Sequence, residues 1–147
     1  MEFDPSLTLP SAPRLQSIGQ TSALLFTLAD RLRQQWTEHA LTSGLTVSEM
    51  KVLLALRRGE ETSMRSLASR LNYDASNLTT LVDHLEAENA VERKVAQVDR
   101  RVKVVTLTDN GAQIRDRFWT AVTRDAGPFA ALNDDDLISL RILLERI

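Results

Sequence analysis

From residue 14 onward, apolar positions recur with a helical period that gives way to another in one place. Leu24, Leu25, Leu28, Leu32 and Trp36 share one face of a helix predicted over Arg14–His39, and Gly44 closes the turn that follows. Thr46-Val47-Ser48-Glu49 has the pattern of a capping box. It opens a short helix with Met50, Leu53, Leu54 and Ala55 inward, ending near Arg57-Arg58-Gly59. The next helix starts near Thr62-Ser63, both good caps, and carries Met64, Leu67, Ala68 and Leu71 on its inner face. Asn72-Tyr73-Asp74 reads as a turn, because Asn tolerates left-handed backbone and Asp caps helices. A helix then runs from Ala75 to about Glu88, with Leu78, Leu81, Val82 and Leu85 at i, i+3, i+4 and i+7, and Asn89 suits its C-cap.

Here the period changes. Val91, Val95 and the run Val102–Leu107 are β-branched or apolar and predict two strands around the polar loop Gln97-Val98-Asp99-Arg100-Arg101. Helical spacing resumes at Asp109 or Asn110 through Ile114, Phe118 and Val122, and Gly127-Pro128 breaks it. Asn133 caps a last helix bearing Leu137, Leu140, Ile142, Leu143, Leu144 and Ile147. Residues 1–13 hold three prolines and no period, which predicts an extended tail. The fold expected is mainly α with a small β-wing. Helix, tight turn, helix and basic hairpin in this order form a winged helix-turn-helix, a shape suited to duplex DNA.

Length and composition narrow this picture. The chain has 147 residues, enough for one domain with a real core. It contains no cysteine, which excludes thiolate chemistry and fits a reducing cytoplasm. No apolar run approaches the ~20 residues of a membrane span, and the opening MEFDPSLTLPSAP lacks the basic and apolar regions of a signal peptide. A cytoplasmic protein with no membrane partner is expected. The net charge of -2 counts mildly against nucleic acid, but its distribution matters more. Arg93, Lys94, Arg100, Arg101 and Lys103 cluster in the hairpin, with Glu92 and Asp99 the nearest acids along the chain, and Asp134, Asp135 and Asp136 lie elsewhere.

With the leucine stripe of the 75–88 helix facing the core, Ser76, Asn77, Thr79, Thr80, Asp83 and His84 face outward. Short polar side chains near a helix N-terminus suit the major groove. Asn pairs with adenine, Ser and Thr meet base edges or phosphates, and the helix end favours phosphate. The candidate DNA contacts are Arg65, Ser66, Asp74, Ser76, Asn77, Thr79, Thr80 and His84, with Asp99, Arg100, Arg101 and Lys103 in the hairpin. An Arg at the tip suits a narrow minor groove, and Asp99 can orient it. A solvated helix face and a charged loop have the same composition; the order of elements favours DNA. An enzyme is not expected, nor a metal site. His39 and His84 are the two histidines, and each adjoins its acid (Glu38, Asp83) in sequence, so the pairs point about 100° apart on a helix. No phosphate loop or nucleophile elbow is present.

The chain resembles the MarR (multiple antibiotic resistance regulator) family of bacterial transcription factors. Members carry Asp-x-Arg, five residues, then Leu-Thr; here these are Asp99, Arg101, Leu107 and Thr108, followed by Asp109-Asn110-Gly111. Leu45–Leu56 looks like the family's second helix, Leu67-Ala68 and Leu71 like its third, and Asp74–Glu86 like its recognition helix. Many members have Arg where this chain has Thr80 and His84, and Gly where it has Asn89. The cysteine of peroxide-sensing members is missing.

Beyond the tail at residues 1–13, the resemblance implies a MarR-type domain over 14–147, with a winged helix-turn-helix at 45–108. The segments 14–44 and 109–147 would supply dimerisation helices. The final helix is itself apolar enough to need a partner, through Leu137, Leu140, Leu143, Leu144 and Ile147. Relatives often bind small aromatic or phenolic effectors. Trp36, His39, Met50, Leu53 and Arg57 are candidates to line such a pocket, although Trp36, Met50 and Leu53 also sit at core periodicity. The function expected is a ligand-responsive repressor, without cofactor, that binds a near-palindromic double-stranded operator as a homodimer. The alternative is a winged-helix protein-interaction module without DNA binding.

Overall fold

The computed structural model describes residues 12–95 and 102–147. In chain order these form α1 (Pro13–Leu41), α2 (Val47–Ala55), β1 (Thr62–Ser63), α3 (Met64–Leu71), α4 (Ala75–Ala87), β2 (Val91–Val95), β3 (Lys103–Leu107), α5 (Asp109–Asp125), a 3₁₀ turn (Gly127–Phe129) and α6 (Asp134–Leu144). They fall into two compact units. One is Thr37–Ala121; the other combines the described residues up to Trp36 with Val122–Ile147.

The first unit is a winged helix-turn-helix. Its core is the apolar face of each helix closed by the sheet: Met50, Val52, Leu53 and Leu56 with Leu67, Leu78, Val82, Leu85, Val105 and Phe118, all at 2% exposure or less. Each such side chain contributes roughly 1.5–3 kcal/mol by leaving water. Local chemistry sets where the helices start and stop. The Thr46 N–H donates to Glu49 Oε2 at 2.7 Å and the Glu49 N–H to Thr46 Oγ1 at 3.3 Å, so the capping box forms as expected. Ser63 accepts from the Ser66 N–H at 3.1 Å and Asp74 from the Asn77 N–H at 2.7 Å. Asn72 and Asn89 adopt φ of 53° and 52°, ending α3 and the turn after α4 in left-handed backbone. Arg115 Nη1 donates to the Leu56 carbonyl at 2.9 Å, a cation on the C-terminal end of α2.

The sheet is antiparallel in the order β1-β3-β2. Val91 faces Leu107, Arg93 faces Val105 and Val95 faces Lys103. The hairpin strands therefore match the expected ones, with the second starting one residue later. The strand β1 is an addition. Thr62 and Ser63 suit a helix cap by residue type, but they also pair with Val105 and Val104. Two residues cannot display a strand period, so the pairing left no trace in the pattern.

A tight junction follows the wing. Thr108 Oγ1 lies 2.7 Å from the Asn89 carbonyl and 3.0 Å from that of Ala90, and accepts the Gly111 N–H at 3.0 Å. Asn110 Nδ2 donates to the Glu88 carbonyl at 3.1 Å. The Leu-Thr-Asp-Asn-Gly run is thus the joint that ties the start of α5 to the end of α4.

In the second unit, Gln35 of α1 is buried and its Nε2 donates to Asp125 Oδ2 at 3.1 Å. The α6 helix opens on a capping box, with the Asp136 N–H donating to Asn133 Oδ1 at 2.9 Å and the Asn133 N–H to Asp136 Oδ2 at 3.2 Å. No residue of α6 is buried within the single chain. Leu143 is 57% exposed and Ile147 94%, and on α1 Leu24 and Phe26 are 70% and 60% exposed. Packing of the last helix into its own chain's core, the simpler use of its leucines, is not what the structure has.

Candidate nucleic-acid interface

The α4 helix buries Leu78, Val82 and Leu85 and exposes Ser76, Asn77, Thr79, Thr80, Asp83 and His84, the split its period implied. Asp74 caps it from outside. Hydrogen bonds from the Asn77 N–H and the Ser76 hydroxyl, the latter at 2.6 Å, hold its carboxyl below the ordinary 3.8. Thr79 and Thr80 donate their hydroxyls back to the Ala75 and Ser76 carbonyls at 2.7 and 3.3 Å. Both residues are exposed, as is Asn77. Arg65 and Ser66 lie exposed in the first turn of α3, and Lys103 is exposed at the start of β3. Asp99, Arg100 and Arg101 lie outside the described residues.

Two side chains are engaged in ways the sequence did not suggest. His84 is 72% exposed, yet its Nδ1 lies 3.1 Å from Oε1 of Glu49, a carboxylate only 6% exposed. That carboxylate already accepts from Thr46, so one buried Glu both caps α2 and meets α4. The second is Arg93. Its Nη1 contacts Asp83 and lies 3.2 Å from Glu86 Oε2, and its Nη2 donates to the Thr79 carbonyl at 3.0 Å. Glu92 is its nearest acid in sequence; the partners it takes are Asp83 and Glu86 of α4. Lys94 pairs with Glu92 at 2.9 Å. The wing's positive charge is therefore partly neutralised. An acid pair three residues apart, followed past a turn by a strand Arg, is the faint signal that was available.

The five pocket candidates do not share one environment. Met50 and Leu53 have no exposed surface and serve the core. Arg57 is 80% exposed and lies 3.9 Å from Glu60. Trp36 and His39 are half-buried. On the second unit, Leu137, Leu140 and Leu144 border a shallow hollow of about 360 Å³ with Phe129, Arg141 and Glu145, while Leu143 and Ile147 are exposed. Among the described residues, no group of His and acidic side chains is arranged to hold a metal, and no helix is long and apolar enough to cross a membrane.

Helix, left-handed turn, capped helix and three-stranded wing define a winged helix-turn-helix protein. The MarR family model matches residues 43–102. The HTH-type transcriptional repressor MdtR of Bacillus subtilis is 30% identical over 103 residues, covering 70% of this chain and 65% of MdtR. The apo MarR structure from E. coli superposes with a TM-score of 0.75 at 25% identity, covering 85% of this chain and 93% of that one. CouR from Rhodococcus jostii RHA1, solved bound to p-coumaroyl-CoA, gives a TM-score of 0.73 at 26% identity, covering 85% and 89%. Over residues 43–102 the chain matches the MarR family, and its fold is that of MarR-family winged-helix transcription regulators. Its match to MdtR spans slightly less than two thirds of that regulator's length.

Proposed function

We propose that this chain is a sequence-specific double-stranded DNA-binding regulator, and that it acts in the cytoplasm as a homodimeric repressor on a near-palindromic operator. The observation that carries this reading is the capped α4 helix, whose exposed half bears Ser76, Asn77, Thr79 and Thr80 beside the wing within one compact unit. Short polar side chains at a helix N-terminus suit base edges and phosphate in a major groove. Arg65, Ser66 and Lys103 would position the backbone, and Arg100 and Arg101 would reach the flanking minor groove. The apolar, uncovered faces of α1 and α6 support pairing of two copies, with residues 14–44 and 109–147 as the assembly segments. Half-sites would then lie about one helical turn, ~10 bp, apart.

Effector control belongs to the same reading. A small aromatic or phenolic acid is the class of ligand, by analogy with the p-coumaroyl thioester bound to CouR. The pocket candidates stay those that the family resemblance nominates. The neutralised Arg93 and Lys94 favour the second reading, a protein-interaction module. Selection of bound sequences from random duplexes, followed by a salt titration of the winner, tests both. DNA binding gives one enriched motif with two-fold symmetry and an affinity that falls steeply with salt. No enriched motif and no salt-dependent shift would establish the interaction module instead.

A further inference from the structure

We infer that Arg93 is a positioning residue that locks the wing to the recognition helix, and that it is not a phosphate contact. The inference rests on the DNA-binding reading for its consequence, although the lock itself exists without DNA. Three observations carry it. Arg93 lies at the centre of β2, opposite Val105 of β3, so its backbone is fixed by the sheet. Its N–H donates to Glu86 Oε1 at 3.1 Å. Its guanidinium spreads over Asp83, Glu86 and the Thr79 carbonyl, and its side chain is only 23% exposed. A guanidinium has five donors in a rigid fork, and here it spans two turns of α4 at once. The carbonyl it holds belongs to Thr79, between the candidate readers Asn77 and Thr80.

The arrangement has an electrostatic consequence. Asp83 lies on the exposed face of α4, where a carboxylate would repel phosphate. Arg93 compensates it in place. A cation committed to two carboxylates has little left for a backbone contact, so the wing's contribution to counterion release comes from other residues.

Two sets of variants test this. Arg93→Lys keeps the charge but cannot span three acceptors. Asp83→Asn with Glu86→Gln keeps shape and removes two negative charges. The readouts are amide exchange across 91–95 and α4 in DNA-free protein, and affinity against salt for the selected operator. The lock requires faster exchange at the wing in both variants. It also requires about tenfold weaker operator binding in both, with the salt slope of Arg93→Lys unchanged. The acid variant is diagnostic, because simple charge removal near phosphate would strengthen binding. Wild-type affinity in Arg93→Lys, or tighter binding in the acid variant, would overturn the inference. So would Arg93→Met lowering the salt slope by about one per subunit, the mark of a phosphate contact. If wild type binds no duplex at all, the DNA-binding reading fails, and unchanged exchange in the variants would separately sink the lock.

Discussion

Nδ1 of His84 and Oε1 of Glu49 lie 3.1 Å apart, joining the outer face of α4 to the buried cap of α2. The two partners are unequal. Glu49 also accepts the Thr46 N–H and hydroxyl, whereas His84 is mostly in water. Glu49→Ala is expected to cost about 1–2 kcal/mol by emptying the capping box. His84→Ala should cost less than ~1 kcal/mol, because the imidazole stays largely in water. Urea unfolding of both single variants measures the difference, and equal losses would mean that the pair, not the cap, dominates.

Gly111 tolerates no side chain. A β-carbon there would sit 1.9 Å from the Ala90 carbonyl oxygen, a backbone atom that cannot step aside. Gly111→Ala is expected to destabilise by about 1–3 kcal/mol or prevent folding. Thermal melting of the purified variant is the check; a wild-type midpoint would show that the joint between the end of α4 and the start of α5 is slack.

Acid should loosen α4 from its N-terminus. The Asp74 carboxyl is held below 3.8 by bonds that exist only in the folded chain. Its stabilising contribution is therefore complete above that value and is lost as pH falls through the lowered one. Asp74→Asn keeps a capping oxygen but does not titrate. Melting curves taken down through that range should show a shallower acid limb for the variant. Superimposable limbs would remove Asp74 from the acid response.

Base reading should centre on Asn77, the side-chain amide on the exposed face of α4 beside Thr79 and Thr80. Asn77→Ala is expected to relax preference at one or two symmetric operator positions, worth ~1–3 kcal/mol per contact. Competition binding with single-position operator variants measures this. A uniform loss on all duplexes would make Asn77 a backbone contact.

Assembly should depend on leucines that the single chain leaves in water. Leu143 and Leu144 are 57% and 46% exposed, so aspartates there burden the monomer fold little. At an apolar interface two buried carboxylates cost several kcal/mol. Leu143→Asp with Leu144→Asp is expected to give a folded monomer that has lost operator affinity, because the two half-sites are no longer coupled. Sedimentation decides it, and a dimer of wild-type mass would place the interface elsewhere.

What the sequence determined by itself was the succession of elements. Thr46 with Glu49, Asn133 with Asp136, Asn72 and Asn89 act on backbone within a few residues, so spacing and residue type sufficed. The polar face of α4 was legible for the same reason, since burial of Leu78, Val82 and Leu85 dictates what points outward. Tertiary structure decided everything that depended on a distant partner. The pairing of Thr62 and Ser63 with β3, the grip of Arg93 on α4 and the meeting of His84 with Glu49 each join segments that periodicity treats separately. An arginine announces its charge in the sequence but not which carboxylate will hold it. Likewise, the leucines of α6 announced a need for burial, and only the folded chain showed that its own core leaves them uncovered.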